Sequence, residues 1–187
     1  MRIGIDIDDT ITNTWNDIIP YFSHEFDIPE DKLRKSMPYY EAVKEKVTKE
    51  EYFERIKPIY NNVSPTVSIK NNVSKVLTDL HDKGHTIIFI TSRGDGYTDA
   101  SELTKEYLLK NNIPYDKLIV GAGHRKANTC LYENIDLYID DSYKHLVSVS
   151  NLGIKVLMVE TYYNKEHLEF PHLKDWLDIY KYIEDRW

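Results

Sequence analysis

The chain has 187 residues, with 31 acidic against 24 basic side chains and a net charge of −7. That balance argues against a broad nucleic-acid-binding face, which needs a clustered excess of Lys and Arg, but leaves room for a small anionic substrate met by a few local cations or a metal. At 41% hydrophobic and 29% charged residues the composition is that of an ordinary globular protein. It is neither disordered nor collagen-like, and its length suits one core with a modest insertion better than two large domains.

The N-terminus opens directly into Arg2-Ile3-Gly4-Ile5, without a charged region followed by a long apolar stretch. No later apolar run approaches the ~20 residues that span a bilayer. Cys130 is the single cysteine, so an internal disulfide is excluded, and the expectation is a cytoplasmic protein in which Cys130 is a small buried apolar residue.

In chain order, strands are predicted at Arg2 to Ile5, Thr86 to Ile90, Lys117 to Val120, Asp136 to Ile139 and Ile154 to Val159, all short runs rich in Val, Ile and Leu. Between them lie helical patterns such as Val73-Val76-Leu77-Leu80 and Leu103-Tyr107-Leu108. Apolar strands alternating with helices predict an α/β fold, a Rossmann-like parallel sheet with helices on both faces. Ligands in such sheets bind beyond the carboxyl ends of the strands. Residues 13–68 break the rhythm. Trp15, Ile18, Ile19, Phe22 and Phe26 recur on one helical face, and no buried strand follows until residue 86. This segment reads as a small helical cap inserted after the first strand, over a core made of residues 1–12 and 69–187. A closing helix is expected from Leu173 to Ile183, with Trp176, Leu177, Tyr180 and Ile183 on its inner face.

The first strand ends in Asp6-Ile7-Asp8-Asp9-Thr10, three carboxylates at the mouth of a buried sheet. Crowding them there costs free energy unless a cation or hydrogen bonds neutralise them, and a hard divalent metal does so economically. The second strand ends in Thr91-Ser92-Arg93, with hydroxyl and backbone donors suited to phosphate; Lys126 and then Asp140-Asp141 follow at later positions.

In that order these segments resemble the four motifs of the haloacid dehalogenase superfamily of phosphohydrolases, spread from Asp6 to Asp141. The resemblance implies Asp6 as nucleophile forming an aspartyl-phosphate, Asp8 as general acid/base, and Thr91 and Lys126 as holders of the transferring oxygens. It implies Mg2+ at Asp6, Asp8 (through its carbonyl) and Asp141, with Asp140 in an outer position. Asp9, Thr10, Ser92 and Arg93 are candidate substrate contacts, though Thr10 also suits a turn cap and Arg93 a surface role. Arg125 adjoins Lys126 and competes with it for the third motif. Where the family often has glycine after the second aspartate, this chain has Asp9. His81, His85, His124, His145, His167 and His172 show no zinc spacing.

The short core, the early helical insertion and the Asp-Asp fourth motif look most like the 5'(3')-deoxyribonucleotidase branch and its bacterial relatives, which implies hydrolysis of a nucleoside monophosphate. Alternatives are a phosphatase for a sugar phosphate or other small metabolite, a receiver-like phosphoacceptor module, or a catalytically silent phosphate-binding protein. A small phosphorylated substrate is the expected partner, without extended nucleic acid or membrane. Homo-oligomerisation stays open.

Overall fold

The computed structural model describes residues 1–94 and 100–187. A six-stranded, wholly parallel sheet runs in the order β3-β2-β1-β4-β5-β6, built from β1 (Arg2–Ile5), β2 (Thr86–Ile90), β3 (Lys117–Ile119), β4 (Leu137–Asp140), β5 (Lys155–Val159) and β6 (His172–Leu173). β1 lies between β2 and β4, so their carboxyl ends open side by side.

The period-2 alternation of each strand sends side chains into two apolar layers. Ile3, Ile5, Ile87, Phe89, Leu137, Ile139, Leu157 and Val159 pack with α4 (Val73–Asp82), α5 (Ala100–Lys110) and α8 (Trp176–Glu184) on one face. Ile88, Ile90, Tyr138, Val156 and Met158 pack on the other with Cys130 of α6 (Lys126–Tyr132) and with Leu146 and Val149 of α7 (Tyr143–Ser150). Burial pushes the Cys130 thiol up to about 12, which leaves it protonated and apolar in character.

Between β1 and α4 the chain forms α1 (Thr14–Phe26), the single turn α2 (Glu30–Leu33), a 3-10 turn at Tyr39–Ala42 and α3 (Lys49–Val63). Trp15, Ile18, Ile19, Phe22 and Phe26 of α1 meet Leu33, Val43, Tyr52 and Ile56 in a separate apolar cluster. A capping box between Thr48 and Glu51 starts α3. Tyr21 and Phe53 stay largely outside this cluster. An antiparallel bridge, Thr12 with Ile69, closes the base of the insertion, where Asn13 N donates to Ser68 O and Lys70 N to Ile11 O.

Two details differ from the sequence reading. β6 takes up Leu173, pairing it with Val159, so the closing helix begins only at Trp176, where Asp175 caps it by accepting from Leu177 N. Its buried line is Trp176, Ile179 and Ile183, an i, i+3, i+7 stripe, while Leu177 turns to solvent. Among the described residues no helix is long and apolar enough to cross a membrane.

Gly4 allows the central strands to approach. A Cβ there would lie 2.9 Å from Cδ2 of Tyr138 and 3.2 Å from Ile135 Cγ2. Gly4→Ala should therefore push the Tyr138 ring off β1 and lower stability by roughly 1–3 kcal/mol. Urea unfolding of the two proteins checks this; an unchanged midpoint would show that the ring moves at no cost.

Candidate active site

The candidate carboxylates and Thr91 sit at, or just past, the carboxyl ends of strands. Asp6 follows β1, and its N–H still donates to Ile139 O. Thr91 follows β2 and is fully buried. Asp140 closes β4 and Asp141 follows it. Lys126 is the first residue of α6 and is buried too, with Nζ 2.6 Å from Asp6 Oδ1 and 2.8 Å from Asp140 Oδ2. Its neighbour Arg125 instead donates to Gly121 O at the surface.

Beyond Asp6 the chain turns sharply: the N–H groups of Thr10, Ile11 and Thr12 all point to Ile7 O. The turn needs a left-handed residue, and Asp9 supplies it at φ 59°. Asp tolerates this region better than most residues because its short polar side chain bonds locally, so it can stand where glycine is often found. Its carboxylate accepts from Trp15 N at 2.9 Å and in a short bond from the Tyr39 hydroxyl, both in the insertion. Asp9 thus ties the insertion to the turn after Asp6, and its carboxylate is spent on that tie. Thr10 is likewise committed: its hydroxyl donates to Asp141 Oδ1 at 2.9 Å and accepts from Asp141 N at 3.0 Å.

Arg93 is buried and not on the surface. Its Nε lies 3.0 Å from Asp8 Oδ2 and its Nη2 2.7 Å from Asp8 Oδ1, a two-pronged ion pair that Thr14 completes by donating to Oδ1 at 2.6 Å. Ser92 is half-buried at the strand end, and its hydroxyl has no partner among the described residues. Thr91 Oγ1 accepts from Arg93 N at 3.1 Å, which leaves its proton free to donate.

Several residues of the site carried no signal in the sequence. Tyr138 donates to Asp140 Oδ2 at 2.6 Å, His145 Nδ1 lies 3.1 Å from the same oxygen, and Tyr163 donates to Asp141 Oδ2 at 2.6 Å. None belongs to a short motif. Only the i, i+5 placement of His145 after the Asp-Asp pair, on the first turns of α7, was available as a hint.

The charges divide by partner. Burial works against ionising Asp8 and Asp140, yet Arg93 and Thr14 hold Asp8 below its ordinary value, and Lys126 with His145 hold Asp140 well below its own. Burial pushes Asp6 up to about 8, opposed by Lys126 and reinforced by Asp140, Asp141 and Asp8. Burial and the charge of Asp140 push Asp141 up to about 7. Asp141 therefore has no cation beside it, and Asp6 shares Lys126 with Asp140. The oxygens of Asp6, Asp140 and Asp141 lie within 4.8 Å of one another. Asp140 Oδ2 already takes Lys126, Tyr138 and His145, and its Oδ1 takes Ser142 N at 2.7 Å. Asp6 and Asp141 keep unused lone pairs. An all-oxygen donor set of this kind fits a hard divalent cation.

With Asp6 and Asp141 raised, the folded chain keeps protons that the unfolded chain sheds above the ordinary 3.8. Stability from this source is present at low pH and is lost as pH rises toward about 7 and 8. In chelator-containing buffer the melting temperature should fall across that window, and Asp6→Asn should flatten the fall. A metal-free melting temperature that climbs over the same range would contradict the assignment.

A family model described as 5' nucleotidase, deoxy (pyrimidine), cytosolic type C protein matches residues 1–186. A protein of Clostridium acetobutylicum named as a nucleotidase is 32% identical over 189 residues, covering 98% of this chain and 94% of its own. Among solved structures, one described as a predicted phosphatase from Clostridium acetobutylicum superposes with a TM-score of 0.75 at 14% identity, covering 98% of each chain. A haloacid dehalogenase-like family hydrolase from Streptococcus pneumoniae gives 0.70 at 12% identity over 97% of each chain. At those identities the two structures speak for the fold alone.

Proposed function

On the premise that the chain belongs to the cytosolic type C family of 5' nucleotidases, haloacid-dehalogenase-like phosphatases acting on phosphoric monoesters, we propose that it is a Mg2+-dependent nucleoside monophosphate phosphatase of the cytoplasm working through Asp6. The observation that carries the mechanism is the buried constellation in which Lys126 bridges Asp6 and Asp140 while Thr91 and Asp8 stand at the adjoining strand ends.

In this reading an Asp6 carboxylate oxygen bonds to phosphorus as the ester P–O bond breaks, and the leaving oxygen takes a proton from Asp8. Asp8 then takes a proton from water, whose oxygen attacks phosphorus, releasing phosphate and restoring Asp6. Lys126 favours the ionised nucleophile and, with Thr91, holds the transferring oxygens. Asp6, Asp141 and the main-chain carbonyl of Asp8 would hold Mg2+, which when bound offsets negative charge on the carboxylates and the phosphoryl group.

Asp8 paired with Arg93 is an ionised group, while the first step needs it protonated. An incoming phosphate dianion competes for the same guanidinium, which would free Asp8 for its proton, so Arg93 serves as a substrate contact that is occupied by Asp8 at rest. The cavity that Arg93 lines with Tyr60, Asn61, Ser64 and Leu103 holds only about 20 Å3, room for a water and not a nucleoside. Reaching Arg93 by that route therefore calls for movement of the helical insertion, the behaviour of a cap. The tyrosines along the insertion, Tyr39 stacked on Tyr60 among them, supply flat faces suited to a nucleobase.

Phosphate release from nucleoside monophosphates, deoxynucleotides and sugar phosphates, with Mg2+ or EDTA, tests this. Turnover should require the metal, favour a nucleoside monophosphate and drop more than ~10³-fold in Asp6→Asn. A preference for sugar phosphates would reassign the substrate, and full activity of the variant would remove Asp6 as nucleophile.

A further inference from the structure

The segment after β5 carries two consecutive tyrosines that serve opposite sides of the site. Tyr162 reaches the cap: its hydroxyl accepts from Trp15 Nε1 at 2.7 Å and donates toward the main-chain carbonyls of Ser36, at 2.8 Å, and Leu33, at 3.4 Å. Tyr163 reaches the core and donates to Asp141 Oδ2. Both hang from one base. Asn164, buried behind them, donates to Val159 O at 2.9 Å and Asp141 O at 2.8 Å and accepts from Thr161 N at 2.8 Å. The two rings meet edge to face, centroids 5.1 Å apart at 85°.

We propose that Tyr162 and Tyr163 form a single clasp that makes the aim of the Asp141 carboxylate depend on the seating of the cap, and with it the affinity for the metal. This rests on the reading that Asp141 holds the metal. Asp141 has one side-chain donor on each oxygen, Thr10 on Oδ1 and Tyr163 on Oδ2. Thr10 belongs to the nucleophile turn and moves with the core, so the bond from Tyr163 is the one exposed to cap motion. When the cap lifts, Tyr162 loses Trp15 and the carbonyls at once. Its phenol turns to water, the ring packed against it follows, and the bond to Asp141 is released. A carboxylate held at one oxygen only can rotate about its terminal torsion, which has no sharp staggered wells. Both tyrosines also line a cleft of about 360 Å3 with Trp15, Lys70 and Arg34, so the rings have space to move into. Reciprocity then requires metal at Asp141 to favour the seated cap.

Mn2+ binding to the substrate-free protein, read by electron paramagnetic resonance, provides the test without turnover. Tyr163→Phe should weaken binding about tenfold, the scale of losing a group that orients a ligand. Tyr162→Phe, whose lost hydroxyl touches no carboxylate, should weaken it about fivefold. The double variant should lose little more than Tyr163→Phe alone, because both act through one bond. Should Tyr162→Phe fold poorly, Trp15→Phe removes one of its bonds from the cap side and should give a smaller loss in the same direction. Wild-type affinity in Tyr162→Phe or Trp15→Phe, or losses that multiply in the double variant, would overturn the clasp. Asp141→Asn separates the two readings: if it binds Mn2+ as wild type does, the placement of the metal at Asp141 falls and the clasp with it.

Discussion

Like charge packed at the ends of two neighbouring strands is the constraint around which the rest of the molecule is arranged. Asp6, Asp9, Asp140 and Asp141 are buried and Asp8 nearly so, around β1 and β4. Two carboxylates 4 Å apart repel by about 4 kcal/mol at the effective dielectric of a protein, so such a group folds only if each member is answered. The answers differ. Lys126 divides its charge between Asp6 and Asp140, Arg93 takes Asp8, and Asp9 draws on Trp15 N and Tyr39. Asp141 receives only neutral donors, Thr10 and Tyr163. The demand left over falls on Asp6 and Asp141, the pair that faces the place where a cation fits.

This distribution explains why the helical insertion adjoins the first strand. Asp8 and Asp9 lie two and three residues after Asp6 and must find partners at once, and the insertion provides them within a few residues through Thr14 and Trp15 N. The insertion is thereby wired to the carboxylates by its first turn. A lid attached elsewhere on the sheet could cover the site but would not share hydrogen bonds with it.

Local patterns in the sequence carried the elements whose physics is local. Strand ends at Asp6, Thr91 and Asp140 follow from short β-branched runs broken by polar residues, and the α1 stripe from its 3.6 period. What was not legible depended on distant pairing. The two-residue β6 is too short to show a pattern and exists only because Val159 and Leu173 meet across a loop. Arg93 reads equally as a surface cation until Asp8 is found beside it 85 residues away in sequence. Tyr138, Tyr163 and His145 were silent for the same reason: a hydroxyl or imidazole gains meaning only from the carboxylate it reaches.

The two aspartates of the fourth motif illustrate how adjacent, chemically identical residues acquire different work. Asp140 ends β4 inside the sheet layer, where Gly4 lets the Tyr138 ring approach β1 and where Lys126, Tyr138 and His145 crowd Oδ2 while Ser142 N takes Oδ1. A carboxylate so surrounded has less to offer a metal, and its charge serves to hold Lys126 in place. One residue on, the strand has ended and Asp141 turns outward toward Thr10 and Tyr163, each of which satisfies one lone pair and leaves others open. The alternation of side chains along a strand, carried one step past its end, is enough to separate a group that anchors the lysine from one that is free to bind a cation.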